Sequence, residues 1–314
     1  MKQLRIVFMG TPEFAVASLD AIYNSFHNVV GVVTAPDKPA GRGKKISQSA
    51  VKEYALQQDL PLLQPPKLKD PEFLDELKAL EADLFVVVAF RMLPEAVWSM
   101  PPLGTINLHA SLLPAYRGAA PINWAIINGE KITGVTTFFI NQQIDTGDII
   151  DQREVPVSED MNAGDLHDVL KDIGSVLLVA TLDKIAQKKA VRRKQLSAEA
   201  SEKPPEAPKL TRDNCRIQWD RPADEVIRFI KGLSPYPGAY TIHQTDGASF
   251  KILDATTGQQ QLAPGEIAVS GKTLEVGTGS GSIAVLSLQA PGKRRMTTRE
   301  YLNGVPQDYL THFQ

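Results

Sequence analysis

The sequence predicts an α/β protein: a doubly wound, mostly parallel, Rossmann-like sheet followed by a small OB-like antiparallel β-barrel. Three observations carry this expectation. Unalternating β-branched runs recur through the first half, amphipathic stretches separate them, and a proline-rich break is followed by five short alternating segments. Runs that are apolar on both sides suit strands covered on both faces, as in a parallel sheet.

In chain order, LRIVFMG (4–10), VVGVVTA (29–35) and LFVVVAF (84–90) are the buried strands. Helices are expected at 12–25, 47–58 and 70–80, which makes a βαβα rhythm. Thr105–Leu108 and GVTTFFI (134–140) add strands, and 164–187 has the apolar spacing of a long closing helix. VRRKQLSAEASEKPPEAPKL (191–210) carries charge and three prolines with little apolar content, so it reads as a linker laid over the surface. A short helix at 222–233 then precedes AYTIHQ, SFKILDA, EIAVS, TLEVGT and SIAVLSLQ, whose close spacing and Gly-rich turns suggest the barrel. The expected domains are therefore 1–189, a linker at 190–208, and 209–314.

Composition bounds the function. At 314 residues, 43% hydrophobic and 22% charged, the chain is globular and long enough for two domains. Its one cysteine, Cys215, excludes an internal disulfide framework and a Cys-rich zinc site, and suits a reducing cytoplasm. No stretch reaches the roughly 18–20 apolar residues of a membrane helix, so no membrane partner is expected. Charge is nearly balanced, with 34 basic and 36 acidic residues. The balance hides a split: 17 basic and 23 acidic residues through Lys188 (−6), then 17 and 13 from Lys189 onward (+4). Alone that split is weak evidence for a polyanionic partner.

Nucleotide loops are not indicated. FMGTPEFA lacks the three-glycine fingerprint, SGKT (270–273) has Glu266 where a Walker loop needs glycine, and GTGSGS (277–282) reads as a hairpin turn. Nor is there an HExxH or comparable ligand cluster, so neither metal nor nucleotide cofactor is expected.

The informative block runs from Gly104 to Ile150. Asn107 and His109 alternate onto one side of a strand, near its carboxyl end, where open α/β sheets place their sites. Asp145 lies in a Gly-containing loop after the next strand, with Asp148 as a competing carboxylate. A neutral amide donor, an imidazole and a carboxylate suit acyl transfer. The first two can hydrogen-bond a developing oxyanion, while the carboxylate orients the imidazole and relays a proton. With no Ser or Cys placed as a nucleophile beside a base, direct attack by an amine through a tetrahedral intermediate is favoured over an acyl-enzyme.

Asn107-Leu-His109-Ala-Ser111-Leu-Leu-Pro114 with IDTGDI resembles the signature of the formyltransferases that use 10-formyltetrahydrofolate. Tyr116-Arg117-Gly118, TGVTTF, FMGTPEFA, TAPDKPAGRGKK, APKLTRDNCRIQW, IKGLSPYPGAYT and APGKRRM extend the likeness over nearly the whole chain, closest to members that formylate initiator methionyl-tRNA. The resemblance implies a catalytic trio of Asn107, His109 and Asp145 and 10-formyltetrahydrofolate as co-substrate. It implies a folate site lined by Phe90, Arg91, Met92, Leu93, Ser111, Leu112, Leu113 and Pro114. Arg91 departs from the aromatic–Gly pattern of the tRNA-acting members and looks more like the glycinamide ribonucleotide branch. A cytoplasmic monomer acting in translation initiation is also implied.

The same resemblance places Arg42, with Lys44 and Lys45, in a loop that reaches the acceptor end of the tRNA. Lys209, Lys293, Arg294 and Arg295 give the second domain basic edges, which suit a nucleic-acid platform. Two alternatives remain at this stage: a formyltransferase for a small amine such as a nucleotide sugar, and a non-catalytic tRNA- or folate-binding scaffold.

Overall fold

The computed structural model describes residues 2–40, 45–195, 203–306 and 309–314. It divides into two compact units. One comprises Met1–Gly118, Ile132–Pro156 and His167–Glu206; the other Ala119–Lys131, Val157–Leu166 and Ala207–Gln314.

The first unit is built on a seven-stranded sheet. Its strands are β1 (Arg5–Gly10), β2 (Asn28–Val33), β5 (Leu62–Leu63), β6 (Leu84–Val88), β7 (Thr105–His109), β9 (Ile132–Phe139) and β10 (Ile149–Pro156), in the order β10-β9-β7-β6-β1-β2-β5. The pairs β1–β2, β1–β6, β6–β7 and β2–β5 are parallel, whereas β9 runs antiparallel to both β7 and β10. Every residue of β6 is buried, which is why its Leu-Phe-Val-Val-Val run shows no alternation. Val7, Met9, Phe85 and Val87 form one face of the core with Phe73 and Leu77.

The helices of this unit are α1 (Glu13–Tyr23), α2 (Ala50–Gln57), α3 (Pro71–Ala79), the single turn α4 (Glu95–Trp98) and α6 (Ala163–Ala186), whose first residues lie in the second unit. Ser49 caps α2 by accepting from the Lys52 N–H, and Asp70 caps α3 ahead of Pro71, a good first helical residue. The segment read as a basic loop at 37–45 has pairing flanks: β3 (Lys38–Ala40) and β4 (Lys45–Ser47) form an antiparallel ribbon. Arg42 and Lys44 lie outside the described residues. A two-residue strand, β8 (Arg117–Gly118), completes the inventory of this unit.

The second unit contains α5 (Pro121–Ile127) and α7 (Ala223–Leu233), which pack closely because Gly232 leaves room. A Cβ there would sit 2.5 Å from Ile127. The Asn123 amide also donates to Gly232 O at 2.7 Å, and Trp124 Nε1 to Pro208 O at 2.8 Å. These contacts draw residues 119–131 into the unit formed by the C-terminal portion, although their place in the sequence is inside the first half.

After β11 (Glu206–Ala207) come β12 (Ala239–Ile242), β13 (Ser249–Thr257), β14 (Ile267–Ser270), β15 (Thr273–Gly277), β16 (Ser282–Gln289) and β17 (Met296–Thr297), with α8 (Thr298–Leu302) last. The antiparallel order is β12-β13-β16-β15-β14, with β17 beside β16. The chain end joins the two outer strands: Gln314 N–H donates to Ile242 O at 2.8 Å, and Ile267 N–H to Thr311 O at 3.0 Å. α8, its capping box of Thr297 and Glu300, and this closing tail had no assignment from sequence.

Candidate active site

β7 carries two of the predicted catalytic groups. Asn107 and His109 are two residues apart, so the pleat turns both to one face of the sheet. Asn107 is half-buried and His109 is 7% exposed. His109 Nε2 lies 2.9 Å from the carbonyl of Tyr116, which leaves Nδ1 toward Asp145 at 3.8 Å. That carbonyl is an orienting group the sequence did not reveal, because Tyr116 holds it through a left-handed backbone, φ 60°.

Asp145 belongs to the loop joining β9 to β10 and is itself left-handed, φ 53°. Its Oδ2 accepts the N–H of Gly118 at 3.0 Å. The turn closes tightly: Phe139 N–H donates to Asp148 O at 2.9 Å, and the Asn141 carboxamide oxygen accepts from Gln143 N–H and Thr146 Oγ1, each at 3.0 Å. Gly147 is obligatory in packing terms, since a Cβ there would fall 1.6 Å from Phe139 O. The structure therefore brings Asn107, His109 and Asp145 together. It places Asp148 in the backbone of the loop's closure.

Residues 111–114 are fastened to the sheet. Thr136 Oγ1 donates to Ser111 O at 2.6 Å and accepts from Leu113 N–H at 3.1 Å, and Gln152 Nε2 donates to Leu113 O at 3.0 Å. Ser111 is fully buried with its hydroxyl donated to Ala115 O at 2.6 Å, and Leu113 packs against Phe138 and Ile149. Both side chains are buried. Leu112 and Pro114 are half-buried and remain on the accessible side.

The segment after β6 turns sharply at Ala89, φ 47°. Phe90 and Leu93 pack against the same apolar cluster as Ile140 of the β9–β10 loop. Each contributes a large apolar side chain left in solvent, Met92 at 77% and Ile144 at 63% exposed. The Arg91 guanidinium reaches the carbonyls of Pro65 and of Pro66, the latter at 3.1 Å, and lies 5.5 Å from the Phe90 ring. Burial lowers its pKa from the usual arginine value. The head group of Arg91 thus ties the segment down rather than facing outward.

Among the predicted basic residues, Lys45 begins β4, and Lys209, Lys293, Arg294 and Arg295 are exposed. Arg294 pairs with Glu300 at 3.1 Å and Arg295 reaches Ser287 Oγ at 3.2 Å. Arg212 lies 5.5 Å over the Tyr240 ring. Among the described residues, Glu13, His167 and Asp168 bring possible metal-ligand atoms within 4.8 Å of one another, but Lys171 already bridges both carboxylates at 2.9 and 3.3 Å. No helix among the described residues is long and apolar enough to cross a membrane.

Comparison with known proteins decides the family. Residues 4–182 match the formyl transferase family, and residues 209–306 match its C-terminal domain. The chain belongs to the formyl transferase family. It is 54% identical to a methionyl-tRNA formyltransferase of Flavobacterium psychrophilum over 97% of both chains. A methionyl-tRNA formyltransferase of Bacteroides fragilis is 50% identical over 96% of this chain and 95% of its own. Among solved formyl transferase structures, an N-formyltransferase from Helicobacter canadensis with folinic acid and dTDP-3-aminofucose shares the fold (TM-score 0.66, 20% identity, 94% of this chain and 100% of that one). A glycinamide ribonucleotide transformylase from Symbiobacterium toebii covers 62% of this chain at TM-score 0.53 and 22% identity, with 94% of its own length aligned.

Proposed function

We propose that this chain transfers a formyl group from 10-formyltetrahydrofolate to the α-amino group of methionine on initiator tRNA. The observation that carries this reading is the pair of family matches in one chain, with relatives of that name about half identical along almost their entire length.

The folate donor fits the residues present. Two loops pack against one apolar cluster and each leaves a large apolar side chain in solvent, which suits a flat fused ring with polar edges. Phe90, Met92, Leu93, Leu112 and Pro114 would line this site, with Arg91 holding the loop from behind. When bound, the donor supplies an activated formyl carbon for direct attack by the acceptor amine.

The chain's own groups supply the rest. The Asn107 amide donates toward the oxygen that gains charge, and the imidazolium form of His109 does so from Nδ1, its Nε2–H being held by Tyr116 O. Asp145 faces Nδ1 of His109, takes up the proton lost by the amine and passes it to the donor nitrogen as the bond from that nitrogen to the formyl carbon breaks, while Tyr116 O fixes the ring from the opposite side. Residues 1–189 act as the catalytic domain and 209–314 as the tRNA-binding domain. Arg42, Lys44, Lys45, Lys209 and Lys293–Arg295 meet phosphates. The enzyme works as a cytoplasmic monomer.

A formyl-transfer assay comparing initiator with elongator methionyl-tRNA tests donor, acceptor and selectivity together. Formylation of the initiator species is the expected result. Transfer only to a small amine would overturn the acceptor assignment.

A further inference from the structure

We propose that Gln195 is a positioning residue for formyl transfer, holding the loop that carries Asp145 in register with His109. The inference rests on the reaction proposed above.

Gln195 lies at the start of the stretch that composition marks as a surface linker, yet it is half-buried and every polar atom of its amide is used. Nε2 donates to Asp145 O and to Gly147 O, both at 2.9 Å. Oε1 accepts from Arg117 at both Nε (3.1 Å) and Nη2 (2.5 Å). One carboxamide therefore links the Asp145 loop to the segment whose Gly118 N–H holds the Asp145 carboxylate and whose Tyr116 O holds His109. Glutamate in this place would keep the acceptor for Arg117 but lose both donors, and asparagine would be one methylene short.

Two neighbours fasten the same loop at its ends. The Arg192 guanidinium lies 3.8 Å over the Phe139 ring, where the loop begins. Arg193 exchanges backbone hydrogen bonds with Ile149, where the loop ends, at 2.8 and 2.9 Å. Residues 192–195 thus grip the loop at its start, middle and finish. The grip has work to oppose: Asp145 is held in a left-handed conformation that a non-glycine residue adopts only against steric resistance. Without the two N–H donors, the Asp145 carbonyl is free to rotate toward the ordinary region and carry the carboxylate away from His109. A displacement near 1 Å suffices to cost up to about 10²-fold in rate.

The test compares wild-type, Gln195→Ala and Gln195→Glu full-length enzymes in formylation of initiator methionyl-tRNA, with melting curves and amide exchange at Gly118. Both variants are expected to lose about 10- to 100-fold in kcat, with KM for either substrate within about threefold. Exchange of the Gly118 amide should quicken at least about tenfold in both, since its acceptor is Asp145. Gln195→Glu retains the pairing with Arg117, and turnover of each variant is read well below its own melting temperature, so the defect reports the lost donors and not unfolding. Wild-type kcat in either variant, Gly118 exchange unchanged, or a change confined to KM overturns the proposal. If the wild-type enzyme formylates only another amine, the acceptor assignment falls; the same comparison on that amine and the exchange measurement still decide the role of Gln195.

Discussion

Oδ2 of Asp145 stands 3.8 Å from Nδ1 of His109 while the same oxygen accepts the Gly118 N–H at 3.0 Å. The carboxylate is thus tethered by the backbone first and faces the imidazole second, at a gap of less than one ångström beyond a hydrogen bond. Catalytic hydrogen bonds commonly tighten on substrate binding, and this separation suits such a closure. His109→Ala and Asp145→Ala should each lose at least about 10²-fold in kcat, the usual scale for acid–base or oxyanion groups. Near-normal turnover by either purified variant sinks the assignment.

Gly147→Ala would place a methyl group 1.6 Å from the Phe139 carbonyl, so the backbone of the Asp145 loop must move. Overpacking of this kind costs about 1–3 kcal/mol. We expect a lower melting temperature together with a fall in kcat. A variant that melts and turns over like wild type contradicts the packing account.

Arg91→Ala removes the struts to Pro65 and Pro66 without touching the catalytic trio. The segment after β6 should loosen, raising KM for the donor by about 10- to 100-fold, the scale of one charge-assisted hydrogen bond, with kcat less affected. A donor KM equal to wild type would show that the segment is held otherwise.

Acid should weaken the closure of the C-terminal sheet. The Asp246 carboxyl is pushed down to about 2, first by the Tyr309 hydroxyl, then by the Ala248 N–H and His243. Its folded pKa lies below the unfolded value near 3.8, so this contribution is complete above that value and disappears as pH falls toward about 2. Because Tyr309 belongs to the tail that bridges β12 and β14, melting temperature should drop more steeply from about pH 4 to pH 2 in wild type than in Asp246→Asn. Parallel curves for the two proteins would refute the linkage.

Formylation of initiator methionyl-tRNA should fall steeply with salt. Each phosphate neutralised by Arg42 or its basic companions adds roughly 0.7–0.9 to the slope of log K against log salt. Arg295→Ala should flatten that slope by up to about one unit. Salt-independent transfer would argue for a small uncharged acceptor.

Strands and helices of both units were legible because their signals are local. β6 is read from five consecutive apolar residues, α2 and α3 from the amphipathic stretches between strand runs, and β12–β16 from alternation between glycine turns. Asn107 and His109 were legible for the same reason, since a strand's pleat fixes which residues share a face.

Pairings between distant segments left no such mark. That α5 packs on α7 depends on the missing side chain of Gly232, more than a hundred residues away in the chain. That Ser111 and Leu113 turn inward depends on Thr136 and Gln152 reaching back to their backbone. Gln195 sat inside a stretch whose charge and prolines announce a linker, and only folding brings its amide to two carbonyls fifty residues upstream. The sequence by itself determined the main strands and helices and the family resemblance, and put Asn107 and His109 on one face of a strand. The tertiary structure decided what holds that trio, because backbone carbonyls and N–H groups are common to every residue and only their positions in space select partners.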